Sequence, residues 1–254
     1  MRESSASKAQ LDVSIEPPID IARTAFFLDL DGTLAPIAPT PDDVRISKTL
    51  RTTLSHLQRR TDGALAVISG RPIAQIDQLL SPLELVAAGL HGAEWRDARG
   101  QTERLSIDPQ RVAAMASTLI SVAAADPGLL LERKALALAL HFRNAPAQEF
   151  AVRQAMTALA ARNSDAFVLQ AGKMVFEIKP KGASKGAALR LLMQRTPFAG
   201  RRPVFAGDDL TDESAFEAVN ALDGISIKIG PGPTLARARL PSPAALAAWL
   251  AQLL

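Results

Sequence analysis

Apolar residues fall into short unbroken runs separated by helix-length segments of mixed polarity, and this rhythm starts at residue 24. Residues 24–30 (TAFFLDL), 64–69 (ALAVIS) and 84–89 (ELVAAG) are short and lack inside–outside alternation, which predicts strands covered on both faces. Between them, residues 47–60 (SKTLRTTLSHLQRR) have helical spacing, and in residues 70–80 (GRPIAQIDQLL) Pro72 suits a first helical turn. The rhythm returns late in the chain. Helices are expected over 184–196, 211–220 and 243–254, and strands over 202–207 (RPVFAG) and 224–230 (GISIKIG). The pattern predicts an α/β fold, a doubly wound and mostly parallel sheet with helices on both faces.

The middle of the chain departs from this pattern. Asp108-Pro109 opens a long helix through about Ala125 by the cap-then-proline rule. Two strand-like segments follow at 128–134 (GLLLERK) and 135–143 (ALALALHFR), then a helix from Pro146, then strands at 166–170 and 173–179. That order, αββαββ, reads as a smaller α+β unit inserted into the first. The expected organisation is a flexible polar leader over 1–22, a core over 23–104 and 180–254, and the inserted unit over 105–179.

The 254-residue chain is nearly half apolar, as expected of a globular protein that buries a substantial core. Its net charge is only +3, it has no long basic block and no tyrosine, and it is expected to bind no nucleic acid. Cysteine is absent, which excludes disulfides, thiolate catalysis and Cys-ligated metals. No apolar run approaches the ~18 to 20 residues that span a bilayer, and the N-terminus lacks a signal core. A cytoplasmic protein without membrane partners is expected.

Four polar clusters sit where strands end or helices begin, the edge at which α/β sheets bind ligands. The first follows the apolar run 24–28, where Asp29 and Asp31 stand one residue apart before Gly32-Thr33. Two like charges beside a hydrophobic segment are costly unless a cation or a reacting group is there. An Asp-Gly turn alone would explain less, and the further ligands of a calcium loop are missing. One aspartate can attack a phosphorus atom while the other exchanges a proton with the leaving oxygen and then with water. The second cluster, Ser69-Gly70-Arg71, offers a hydroxyl and backbone N–H groups to phosphate oxygens, although Ser69 could equally cap a helix. The third is Lys185, a cation in the first turn of a helix where the dipole disfavours it. The fourth places Asp208, Asp209, Asp212 and Glu213 within six residues, a hard oxygen set suited to Mg²⁺.

Together and in this order, these motifs resemble the haloacid dehalogenase superfamily of phosphotransferases, whose core is Rossmann-like. The inserted unit is similar to the cap of its sugar-phosphatase branch. GLHGAEWR at 89–96, ERKALALALHFR at 132–143, AGKMVFEIKP at 171–180 and GDDLTDE at 207–213 resemble the trehalose-6-phosphate phosphatases over roughly residues 24–250. Leu30 and Phe142 depart from that pattern without removing an ionisable group. The resemblance implies Asp29 as nucleophile, Asp31 as general acid/base, and Ser69 and Lys185 as phosphoryl-binding groups. It implies Mg²⁺ held by Asp29, the Asp31 carbonyl and Asp208, with Asp212 close behind. Thr33, Gly70, Arg71, His91 and Gly92 would line the core side of the substrate site, His91 having a buried structural role as its rival. Glu132, Lys134, Arg143 and Glu177 would meet the sugar from the cap. The implied activity is Mg²⁺-dependent hydrolysis of trehalose 6-phosphate by a monomer functionally paired with a trehalose-phosphate synthase. The rival readings are a phosphatase for sucrose or mannosylglycerate phosphates, or a catalytically silent sugar-phosphate-binding subunit of a synthase complex.

Overall fold

A computed structural model describes residues 18–38, 40–134, 136–172 and 174–254. The expected leader lies outside the described residues through residue 17; beyond it Ile21 is buried in the core. The chain then alternates β1 (Thr24–Leu28), α1 (Lys48–Arg60), β2 (Leu65–Ile68), α2 (Ile73–Leu80) and β3 (Val86–Gly89). A hairpin of β4 (Glu94–Arg96) and β5 (Thr102–Arg104) follows. Next come α3 (Pro109–Ala123), β6 (Leu130–Arg133), β7 (Leu138–His141), α4 (Glu149–Arg162), β8 (Phe167–Gly172) and β9 (Val175–Pro180). The last third holds α5 (Lys185–Met193), β10 (Arg202–Gly207), α6 (Glu213–Ala221), β11 (Ile225–Ile229), β12 (Ala238–Leu240) and α7 (Pro243–Gln252).

The large sheet runs β12-β11-β10-β1-β2-β3-β4-β5, parallel from β12 to β3 and antiparallel at the β4–β5 end. Period-two geometry sends alternate residues of β1 to opposite faces. Phe26 and Leu28 join one apolar cluster with Leu54 of α1 and Leu246 of α7, while Ala25 and Phe27 join another with Leu189 of α5 and Phe216 of α6. Both faces of β1 are therefore buried, and every one of its residues is. The unbroken apolar run is the consequence of that two-sided burial.

The second sheet, β6-β7-β9-β8, is antiparallel and carries α3 and α4 on one face only. Leu138, Leu140, Phe176 and Ile178 pack on Met115, Leu119, Val152 and Met156. The opposite face holds the register row Glu132–Ala139–Glu177–Gln170. Alternation along these strands thus puts both candidate sugar-binding glutamates on the face away from the apolar cluster.

Helices α5 and α6 approach so closely that a Cβ on Gly186 would meet the Ser214 carbonyl oxygen at 2.1 Å. This contact fixes Lys185, one residue earlier, against the loop that precedes α6. Gly186→Ala should therefore lower stability by about 1 to 3 kcal/mol, the usual cost of overpacking. A denaturant midpoint measurement checks this, and the alanine's better helix propensity acting alone would instead raise the midpoint.

Candidate active site

The first aspartate is placed by the sheet. β1 ends at Leu28, and the Asp29 amide still donates to the Ala206 carbonyl of β10 at 3.0 Å. Its carboxylate is buried. Lys185 enters from the start of α5, whose N-terminus is capped by Ser184 accepting from the Ala187 amide at 3.0 Å. The Lys185 ammonium, also buried, donates to Asp29 Oδ1 at 2.6 Å and to Asp212 Oδ1 at 2.6 Å. Asp212 is fully engaged, because its Oδ2 accepts from the Asp208 and Asp209 amides, each at 2.9 Å. The acidic run after β10 is therefore a folded loop in which Asp212 holds Lys185 and the backbone while Asp208 faces Asp29.

Thr33, buried, links these groups: its Oγ1 lies 3.2 Å from Asp29 Oδ2 and 3.3 Å from Asp208 Oδ1. Gly32 has φ +80°, and a Cβ there would fall 2.1 Å from Asp208 Oδ2. Glycine is thus required both by the left-handed turn and by the approach of the second carboxylate. Sequence reasoning missed Lys228, an apparent strand residue of β11 that is buried and whose ammonium donates to the Asp208 carbonyl and, at 3.1 Å, to the Ile229 carbonyl. The signal available was a lone lysine inside the apolar run GISIKIG.

Counted as ionised, Asp29, Asp208 and Asp212 face one ammonium, Lys185, so the formal balance is −3 + 1 = −2. Burial raises the Asp29 pKa well above its ordinary value; Lys185 pulls against this, and Asp212 and Asp208 add to it. Burial and the charge of Asp212 likewise raise Asp208. Burial lowers the Lys185 pKa, but the fields of Asp29 and Asp212 and its bonds to both outweigh this and leave it raised. Carboxylate oxygens of Asp29, Asp208 and Asp212 all lie within 4.8 Å of one another. An all-oxygen set with this charge deficit fits a hard divalent cation.

Asp31 is placed differently. Its carboxylate is held bidentately by Arg71, Nε to Oδ2 at 2.7 Å and Nη2 to Oδ1 at 2.8 Å. Buried Ser69 accepts from the Arg71 amide at 3.2 Å, so it shapes the Ser69-Gly70-Arg71 turn and does not cap α2, whose N-cap position is Pro72. A cleft of about 560 Å³ between the two sheets is lined by Asp31, Gly70, Arg71, His91, Glu132 and Lys134, among others. Glu177 lies nearby, on a smaller pocket with His91, Lys134 and Lys179. Within this face Lys134 Nζ donates to Glu177 at 2.9 Å, and Glu132 pairs with His141 Nε2 at 2.9 Å. Gly92 is buried under the Ser184 carbonyl rather than open to the cleft. Arg143 is exposed beyond the end of β7 and is not among the residues lining the cleft. The structure thus brings every expected core residue to one strand edge and three of the four expected cap residues to its mouth.

His91 adopts a left-handed backbone, φ 56°. Its Nδ1 is buried without a hydrogen-bond partner among the described residues. Burial, with the ammonium groups of Lys185, Lys134 and Lys179, lowers its pKa to about 3. The folded state therefore keeps His91 neutral where the unfolded chain, with a pKa near 6.5, takes up a proton. The stability from this difference is present above about pH 6.5 and is lost as pH falls toward about 3. Between pH 7 and pH 5 the protein should lose about 1 to 2 kcal/mol more than His91→Asn, which suits the left-handed turn. Equal acid slopes in paired denaturation curves would contradict a neutral buried His91.

Comparison with known proteins agrees with this geometry. The trehalose-phosphatase family model matches residues 27–243. The chain is 45% identical to "Trehalose-6-phosphate phosphatase" of Escherichia coli (strain K12), over 92% of this chain and 88% of that one. It is 41% identical to "Probable trehalose-phosphate phosphatase" of Sinorhizobium fredii (strain NBRC 101917 / NGR234), over 98% and 95% respectively. Among solved structures, the C-terminal domain of C. albicans trehalose-6-phosphate phosphatase superposes with a TM-score of 0.75 at 25% identity, covering 91% of this chain and 92% of that one.

Proposed function

This chain belongs to the trehalose-phosphatase family, and from that premise we propose that it hydrolyses trehalose 6-phosphate to trehalose and phosphate. The observation that carries the proposal is the convergence of Asp29, Lys185, Asp208 and Asp212 beside a cleft closed by a polar sheet face. Asp29 attacks phosphorus in line, forming a phosphoaspartate as the bond to the sugar oxygen breaks. Lys185 holds Asp29 in place and offsets charge on the transferring group. Asp31, having taken up a proton from solvent, gives it to the departing sugar oxygen and recovers one from the water that hydrolyses the phosphoaspartate. To do so Asp31 leaves Arg71, whose guanidinium is then available to the anionic substrate.

The all-oxygen set fits Mg²⁺, which Asp29 and Asp208 would hold with the Asp31 carbonyl. When bound, Mg²⁺ supplies the positive charge that a phosphoryl group needs in transfer. Asp212 acts one step back, fixing Lys185 and the Asp208 amide.

In this reading residues 105–179 form a cap that selects the sugar. Glu132, Lys134 and Glu177 present carboxylates and an ammonium to a hydroxyl-rich disaccharide, which such groups bind well. Among the described residues no helix is long and apolar enough to cross a membrane. We read the enzyme as a cytoplasmic monomer working on the product of a trehalose-phosphate synthase.

Phosphate release from trehalose 6-phosphate and from a small aryl phosphate tests the two halves of the proposal together. Asp29→Asn should abolish turnover of both. Glu177→Gln should lower kcat/KM for trehalose 6-phosphate by roughly ten- to a hundredfold, because a bond to a charged group is lost, and should leave the aryl phosphate nearly unaffected. Parallel losses on both substrates in Glu177→Gln would make the residue structural. Turnover surviving in folded Asp29→Asn would remove the covalent mechanism.

A further inference from the structure

A second cavity, of about 440 Å³, lies beside the catalytic cleft and, Arg71 apart, has no part in the chemistry above. The loop before α1, α1 itself and α2 bring Arg45, Arg51, Arg71, Gln75 and Gln78 to its walls. Among the described residues, neither Arg45 nor Arg51 forms an ion pair with a carboxylate. Each is bonded to backbone through Nη1. Arg45 Nη1 donates to the Val44 carbonyl at 2.8 Å and Arg51 Nη1 to the Ile46 carbonyl at 2.9 Å. A guanidinium bonded through one nitrogen still offers its other N–H groups as a planar fork, the shape that matches phosphate oxygens. Among the described lining residues Asp42 is the one carboxylate, and Asp31 neutralises Arg71, so their formal balance is 3 − 2 = +1. Among the described residues no aromatic side chain lines the cavity, which leaves a nucleobase nothing there to stack on.

We propose that this cavity is an effector site for a phosphate-bearing anion, separate from the catalytic cleft and joined to it through Arg71. That residue lines both cavities and holds Asp31 at 2.7 and 2.8 Å. An anion on Arg45 and Arg51 competes with Asp31 for Arg71 and so loosens the carboxylate from its clamp. The competition matters for turnover only if Asp31 is the proton donor proposed above. The binding site itself does not depend on that reading.

Calorimetric titration of the full-length protein in excess chelator tests the site directly, with inorganic phosphate and glucose 6-phosphate as separate titrants. Under these conditions the catalytic carboxylates, formally −2, repel the anion. The protein should therefore bind phosphate at one metal-independent site. Arg45→Ala/Arg51→Ala should weaken that event at least about tenfold, since two charge-assisted contacts are lost. Gln78→Glu, which adds a repelling charge on the exposed face of α2 and keeps both arginines, should also weaken it and decides the matter if the double variant folds poorly. Tighter binding of glucose 6-phosphate than of phosphate makes a sugar phosphate the effector, and weaker binding makes it the free anion. No metal-independent binding of either titrant, or binding unchanged in folded variants, overturns the proposal, whether or not the protein hydrolyses trehalose 6-phosphate.

Discussion

The site depends on one buried ammonium shared by two buried carboxylates. Lys185 reaches Asp29 at the end of β1 and Asp212 in the loop after β10, and so ties a strand end, a helix start and an acidic loop into one unit. Removing one partner of such a buried pair costs about 3 to 5 kcal/mol, because the other charge is left uncompensated. The arrangement is over-supplied with acid: Asp208 stands against Asp29 with Thr33 between them, and among the described residues no ammonium forms an ion pair with its carboxylate. Lys228 bonds the Asp208 and Ile229 backbone carbonyls and not the Asp208 carboxylate. The protein thus holds a charge deficit in a partly dry site, which is the condition for binding a divalent cation and then a phosphate dianion.

The remainder of the architecture sets what enters. The parallel sheet supplies the carboxylates from its strand ends, where a buried core ends at solvent. The second sheet is covered by helices on one face only, so its other face is left to polar groups over the cleft. Before any substrate is present those groups pair with each other, Lys134 with Glu177 and Glu132 with His141. Arg71 does the same for Asp31. Binding a sugar phosphate is therefore an exchange of internal ion pairs for ligand contacts, and specificity rests on the ligand replacing them well.

Much of this was legible in the sequence. Strands buried on both faces announce themselves as unbroken apolar runs, as in β1, β2 and β3, whereas β10 opens on Arg202 and β11 is interrupted by Ser226 and Lys228 although all five of its residues are buried. β5 was missed because its three residues are all exposed, and β12 because three residues with a charged centre carry no period. The glutamates of the second sheet could be placed on one face by alternation, but alternation says nothing of their partners. The Arg71–Asp31 clamp joins residues 40 apart, and only the fold brings them together. The same holds for Asp212: its carboxylate looks like a metal ligand in the motif, and only the structure shows both oxygens already engaged.

In the proposed mechanism Asp29 and Asp208 leave a deficit that Mg²⁺ would fill, while Asp212 is engaged by Lys185. Thermal unfolding with and without Mg²⁺ tests it most directly, since a ligand bound only by the folded state raises the midpoint. The account predicts a rise for the unmodified protein and little or none for Asp208→Asn. A midpoint indifferent to Mg²⁺, or an equal rise in Asp208→Asn, would contradict it.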